Sequence, residues 1–218
     1  FNFGALSNDT INKIDFLSEF ELKNKINFKS YKKNIVVCYH PETAIPLKNE
    51  KNIDALLSAL RNFSNVGIIF TYPNSDPGSL IIIKKFKNFM KKNSNAILIK
   101  SLGHIKFLKC LKKCDGIMGN SSSGIIEAPL LKIASLNIGD RQKGRILSNS
   151  VIQCKFSANE IKLKIKQLIS DKFKEKVTLT KSQYKGNNVS KRILKQIEKT
   201  NLSKLKLKKF YDLEKFNG

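Results

Sequence analysis

Tryptophan is absent from the 218 residues, and arginine nearly so: of 41 basic side chains only Arg61, Arg141, Arg145 and Arg192 are guanidinium groups. Direct readers of bases and phosphates favour the guanidinium fork. No aromatic residues interleave with a basic patch either, so the formal net charge of +24 does not by itself make a nucleic-acid binder. The lysines run from Lys13 to Lys215 between apolar residues at helical spacing, as in Lys106, Lys109, Lys112 and Lys113. They read as solvated helix faces, with lysine the default cation of an AT-rich gene. No apolar run approaches the ~18 residues that a spanning helix needs. No basic start leads into an apolar signal stretch, and the chain opens at Phe1 rather than Met, so a piece of a longer protein is expected. Cys38, Cys110, Cys114 and Cys154 contain no C-x-x-C pair and, with two histidines, complete no metal set. Buried, reduced thiols and a cytoplasmic protein are expected.

What is present is a regular alternation. Ile35-Val36-Val37-Cys38-Tyr39, Gly67-Ile68-Ile69-Phe70-Thr71, Ala96-Ile97-Leu98-Ile99, Asp115-Gly116-Ile117-Met118 and Ala134-Ser135-Leu136-Asn137-Ile138 are short apolar runs. Between them the spacing predicts helices over 52–63, 79–92 and 105–113, with another starting near Gly124. Strands of this length separated by helices predict βαβ units: an α/β fold with a Rossmann-like parallel sheet and helices on both faces. A further strand near Val151-Ile152 and helices over 158–169 and 189–199 follow. The chain divides into a linker with a short helix (1–30), one Rossmann-like domain (31–200) and a basic tail (201–218).

In such a sheet, ligands bind beyond the carboxyl ends of the strands. The loops there are His40-Pro41-Glu42-Thr43, Tyr72-Pro73-Asn74-Ser75-Asp76-Pro77-Gly78-Ser79, Ser101-Leu102-Gly103, Gly119-Asn120-Ser121-Ser122-Ser123-Gly124 and Gly139-Asp140-Arg141-Gln142-Lys143-Gly144-Arg145. All are polar or glycine-rich. The serine loop opens a helix, where free N–H groups, the Ser121 and Ser122 hydroxyls and the close backbone approach at Gly124 suit a phosphate. Glu127 then suits a pair of sugar hydroxyls. The same residues also read as ordinary N-capping by serine with Glu127 as capping-box partner. The loop is neither a Walker P-loop nor a G-x-G-x-x-G fingerprint. His40 reads either as a phosphate donor and proton-transfer candidate or as a loop cap. Asn74 and Asp76 read as sugar ligands or as a plain turn. Arg141, a guanidinium kept where lysine is the rule, suits a phosphate or carboxylate. His104 reads as structural.

Taken in order, these five strings, continued through Ile125-Ile126-Glu127-Ala128-Pro129 and joined by Tyr184-Lys185-Gly186-Asn187-Asn188-Val189-Ser190, resemble the hydrolysing UDP-N-acetylglucosamine 2-epimerases of sialic- and legionaminic-acid biosynthesis. The non-hydrolysing branch typically has His-Arg-Glu-Asn where this chain has His40-Pro41-Glu42-Thr43. One departure is Ala134, where the family usually has proline. The resemblance implies the C-terminal half of a GT-B-like two-domain enzyme, with a UDP-sugar held between the halves. It implies that Ser121, Ser122 and Gly124 hold the diphosphate and Glu127 the ribose. The backbone at Leu102 would meet the uracil, and His40, Asn74 and Arg141 would face phosphates and sugar. His40 is the catalytic candidate of this half. The carboxylates that move protons are expected from the N-terminal half, so this chain alone is expected to be inactive. Partners implied are that missing domain and further copies of the full-length protein. No cofactor, metal, nucleic acid or membrane is implied. Two other readings stand beside this one: a GT-B glycosyltransferase C-terminal domain, and a basic nucleic-acid-binding module.

Overall fold

Apolar runs without alternating polar residues must be covered on both faces, and a doubly wound sheet covers them. In the computed structural model, which describes residues 1–16, 26–42, 49–201 and 203, the strands are β1 (Lys33–Cys38), β2 (Val66–Thr71), β3 (Ala96–Ile99), β4 (Gly116–Gly119), β5 (Ala134–Ile138) and β6 (Val151–Cys154). They form one sheet in the order β3-β2-β1-β4-β5-β6, every neighbour parallel. Strand order runs one way from β1 to β3 and the other from β4 to β6. The reversal falls between β1 and β4, where Val37 stands opposite Met118 and Cys38 opposite Gly119.

The described helices are α1 (Ser7–Ile11), α2 (Asn49–Leu60), α3 (Ser79–Met90), α4 (Gly103–Lys112), α5 (Glu127–Leu130), α6 (Ala158–Leu168), α7 (Asp171–Thr178) and α8 (Val189–Lys199). The period-two alternation of the strands sorts the side chains into two cores. Ile35, Val37, Tyr39, Ile68, Phe70 and Met118 join residues of α2, α3, α6 and α7. Val36, Cys38, Ile69 and Ile117 meet α4 and α5 on the other face. Each Ile or Leu fully buried here contributes roughly 1.5–3 kcal/mol. Phe70 stacks on Phe86 with centroids 4.2 Å apart, fastening α3 to the sheet.

Two expectations change. The helix expected to start near Gly124 begins only at Glu127. A single 3₁₀ turn, Ser122–Gly124, precedes the short α5. A continuous α-helix would need the N–H of Pro129 to reach the carbonyl of Ile125, and proline has none. Helix α7, capped by the Ser170 hydroxyl accepting from the Phe173 N–H at 3.3 Å, was not anticipated. Thr43, much of the expected linker (17–25) and most of the expected tail (202 and 204–218) lie outside the described residues. All four cysteines are buried and free, and burial pushes the Cys38 and Cys154 thiols up to about 12.

The first residues are fastened to the closing segment. Ala5 N–H donates to the Tyr184 carbonyl at 2.9 Å, and the Asn8 side chain bridges Tyr184 O and Gly186 N–H at 2.8 and 3.1 Å. Asn188, left-handed at the start of α8, gives no side-chain cap. Asp9 caps that helix instead, accepting from the Val189 N–H at 2.9 Å and from the Ser190 N–H and hydroxyl at 2.8 and 2.6 Å. Those bonds, the Ser190 hydroxyl foremost, hold the Asp9 carboxyl below the usual carboxylate range. The backbones cross where there is no room for a side chain: a Cβ at Gly186 would lie 2.1 Å from the Phe3 carbonyl oxygen.

Glycine is also required at the end of β4. Gly119 ends β4 with φ +131°, and a Cβ there would sit 2.0 Å from the carbonyl oxygen of Cys38 on β1. Gly119→Ala is expected to lower stability by about 2–5 kcal/mol, from backbone strain and forced separation of the two strands. A urea-unfolding midpoint measures it; an unchanged midpoint would refute the close approach.

Candidate nucleotide site at the strand reversal

At the reversal the loops after β1 and β4 leave in different directions and open a crevice. Asn120 is fully buried at its root. Its side-chain oxygen accepts from the His40 N–H at 2.8 Å and its amide donates to the His40 carbonyl at 2.8 Å. Its own N–H donates to Cys38 O at 3.2 Å. Its carbonyl accepts from Arg141 Nη1 at 3.1 Å and from Gln142 Nε2 at 2.9 Å. The loops after β1, β4 and β5 are thus joined at one residue.

His40 is tied in turn to the loop after β2, where the Asn74 N–H donates to its Nδ1 at 3.1 Å. With Nδ1 accepting, the neutral ring carries its proton on Nε2. Burial, and after it the Arg141 guanidinium, hold the imidazole below its ordinary pKa. Burial pushes the neighbouring Glu42 carboxyl above its usual range, with hydrogen bonding to Asn120 opposing. The Asn74 amide bonds the Asp76 carboxylate, so that pair builds its own turn while the Asn74 backbone serves His40.

A cleft of about 280 Å³ lies at this edge, lined by His40, Tyr72, Lys100, Ser101, Leu102, Gly103, His104, Ser121 and Ser123 among others. The Leu102 side chain packs against the core beneath α4. Gly103 follows with φ +65° and open space where a Cβ would point, leaving backbone at the cleft. Ser121 caps the 3₁₀ turn, its hydroxyl accepting from the Ser123 N–H at 3.3 Å. The capping-box reading fails: Glu127 is six residues past that cap, not three. Its half-buried carboxylate makes no hydrogen bond or ion pair with another described residue. Gly124 faces the sheet: a Cβ there would lie 2.6 Å from Ser135 Oγ, so packing against β5 already favours glycine.

The structure therefore brings His40, Leu102 and Ser121 onto one cleft; Asn74 is hydrogen-bonded to His40 in its wall, and Arg141 to the buried Asn120 that also holds the His40 backbone. Ser122 and Gly124 share the Ser121 turn, and Glu127 stands just beyond it.

A sequence profile of the UDP-N-acetylglucosamine 2-epimerase family matches residues 1–198. The chain belongs to this family. It is 35% identical over 215 residues to a GDP/UDP-N,N'-diacetylbacillosamine 2-epimerase (hydrolyzing) of Campylobacter jejuni, covering 98% of this chain and 56% of that protein. To the polysialic acid biosynthesis protein P7 of Escherichia coli it is 37% identical over 215 residues, covering 98% of this chain and 54% of that one. The chain thus spans about half the length of these curated relatives. Its fold is shared with the Staphylococcus aureus MnaA–UDP co-structure, with a TM-score of 0.66 at 18% identity over 97% of this chain and 57% of the other.

In this epimerase-family chain, Asn120 and Gln142 escape a reading of the sequence because they act through buried hydrogen bonds rather than as exposed ligands. Position alone could have flagged Asn120, the residue after the glycine that ends β4. His104, read as structural, lines the cleft, as does Lys100. Because folding lowers the His40 pKa, the unfolded chain binds more protons just below pH 6.5 and stability rises with pH there. Stability should fall as pH drops through the unfolded value of about 6.5 and level off below the depressed folded value. Urea midpoints between pH 5 and 8 should show that slope in the wild type and a flatter one in His40→Gln; equal slopes would contradict it.

Proposed function

We propose that this chain is the nucleotide-binding half of a hydrolysing UDP-N-acetylglucosamine 2-epimerase. Its substrate is UDP-N-acetylglucosamine or a 2,4-diacetamido-trideoxy analogue, and its products are the C2-epimeric free sugar and UDP for nonulosonic-acid synthesis. The observation that carries this reading is the convergence of His40, Leu102 and Ser121 on one cleft at the strand reversal of an epimerase-family fold. His40-Pro41-Glu42-Thr43 and the likeness to a C. jejuni enzyme described as hydrolysing favour that branch. Likeness to a polysialic acid biosynthesis protein favours a nonulosonic-acid product.

The reaction has two parts. UDP leaves from C1 as a proton leaves C2, giving a glycal; water then adds across the double bond, and C2 is protonated on the opposite face. In this half the Ser121–Gly124 turn, with the Ser122 hydroxyl, binds the diphosphate. Arg141 and the His40 ring face the phosphates, where they favour the charge that builds on the leaving group. Glu127 accepts from the ribose hydroxyls, the backbone at Leu102 and Gly103 meets the uracil, and Asn74 faces the sugar. Proton-transferring carboxylates come from the N-terminal half, and four buried free thiols fit the reducing cytoplasm.

Calorimetric titration with UDP at two salt concentrations, with a thermal melt of each variant, tests the assignment. The chain should bind UDP saturably. Glu127→Ala and Arg141→Lys should each weaken binding about tenfold, the scale of one charge-assisted contact, without lowering Tm. A folded chain that ignores UDP would refute the reading. Binding to nucleic acid that falls steeply with salt would replace it with a general polyanion site.

A further inference from the structure

Both side chains assigned to the phosphates stand on loops, and a loop places a side chain only as well as its anchor allows. His40 and Arg141 share one anchor. Asn120 holds the backbone of His40 by two reciprocal bonds at 2.8 Å and receives Arg141 Nη1 on its carbonyl at 3.1 Å. Gln142, itself 5% exposed, donates to the same carbonyl at 2.9 Å and steadies the Arg141 loop. Asn120 is 0% exposed, so water cannot substitute for it. The side chain must present a donor and an acceptor in one plane at one length. Asparagine does this; aspartate loses the donor, and serine is too short.

We propose that Asn120 is the positioning residue of this site, touching no ligand but setting where the His40 imidazole and the Arg141 guanidinium stand relative to the Ser121–Gly124 turn. The inference rests on the nucleotide reading above for its purpose, though not for its geometry. Its consequence reaches the ring. The His40 Nδ1 meets the Asn74 N–H at 3.1 Å only while the His40 backbone is held, so Asn120 also fixes the Nε2–H tautomer.

The test needs no ligand. The chain has two histidines, so ¹⁵N NMR of the labelled protein resolves both rings, and His40→Gln assigns them. In the wild type, the neutral His40 ring should show Nδ1 as a bare acceptor and Nε2 as the protonated nitrogen. In Asn120→Ala the two nitrogens should average while the His104 signals stay in place. Asn120→Asp keeps the side-chain volume, serves if the alanine variant does not fold, and should average likewise. An unchanged His40 tautomer in either folded variant overturns the proposal, whatever UDP does. UDP affinity then joins the two readings. Asn120→Ala should weaken UDP about tenfold, and combined with His40→Ala the loss should fall short of the product of the single losses by about threefold. A wild-type chain that shows the fixed tautomer but ignores UDP overturns the nucleotide reading and leaves the positioning role standing.

Discussion

The parallel pairing of β1 with β4 is the constraint on which the ligand edge depends. These strands are distant in sequence and adjacent in space, and the chain order reverses between them. Their carboxyl ends come so close that Gly119 has no room for a methyl group against Cys38. That contact delivers Asn120 to the backbone of His40, and through Asn120 the loop after β5 is drawn in as well. Loosening the seam would let the loops carrying His40, Ser121 and Arg141 drift apart together.

The charge at this edge is economical. The chain carries 41 cationic side chains, yet at this edge Arg141 is restrained by its neighbour Asn120. Arg141 spends one nitrogen on a backbone carbonyl and keeps the rest of its fork exposed. His40 is kept neutral by burial and by that guanidinium, so at neutral pH it offers a hydrogen-bond donor rather than a second full charge.

The sheet was legible because strands buried on both faces leave unbroken apolar runs. The Ala96–Ile99 and Ala134–Ile138 strands fall at the bounds their runs suggest. The serine turn was legible as a loop but not in shape, since the apolar string Ile125-Ile126 hides the break that Pro129 imposes seven residues after Ser122. Helix α7 was missed because its sequence, DKFKEKVT, buries only Phe173 and Val177, too few to raise a periodic signal above a lysine-rich background. Individual ligand-edge residues could be named from their loops. The buried bonds joining those loops could not, because they depend on which strands become neighbours, and local pattern does not contain that information.

The crossing of residues 3–9 with 184–190 bears on the order of events when the chain folds. Joining points about 180 residues apart closes a very long loop, and the entropic cost of such closure is recovered only once intervening contacts exist. The sheet, whose neighbouring strands are mostly far closer in sequence, can form first and the two ends then latch across it. The latch includes a few hydrogen bonds around Asn8 and Asp9, two of them solvent-exposed, so it is also the natural first point of opening. The β1–β4 seam, deep in the two cores, belongs to the last part of the molecule to give way.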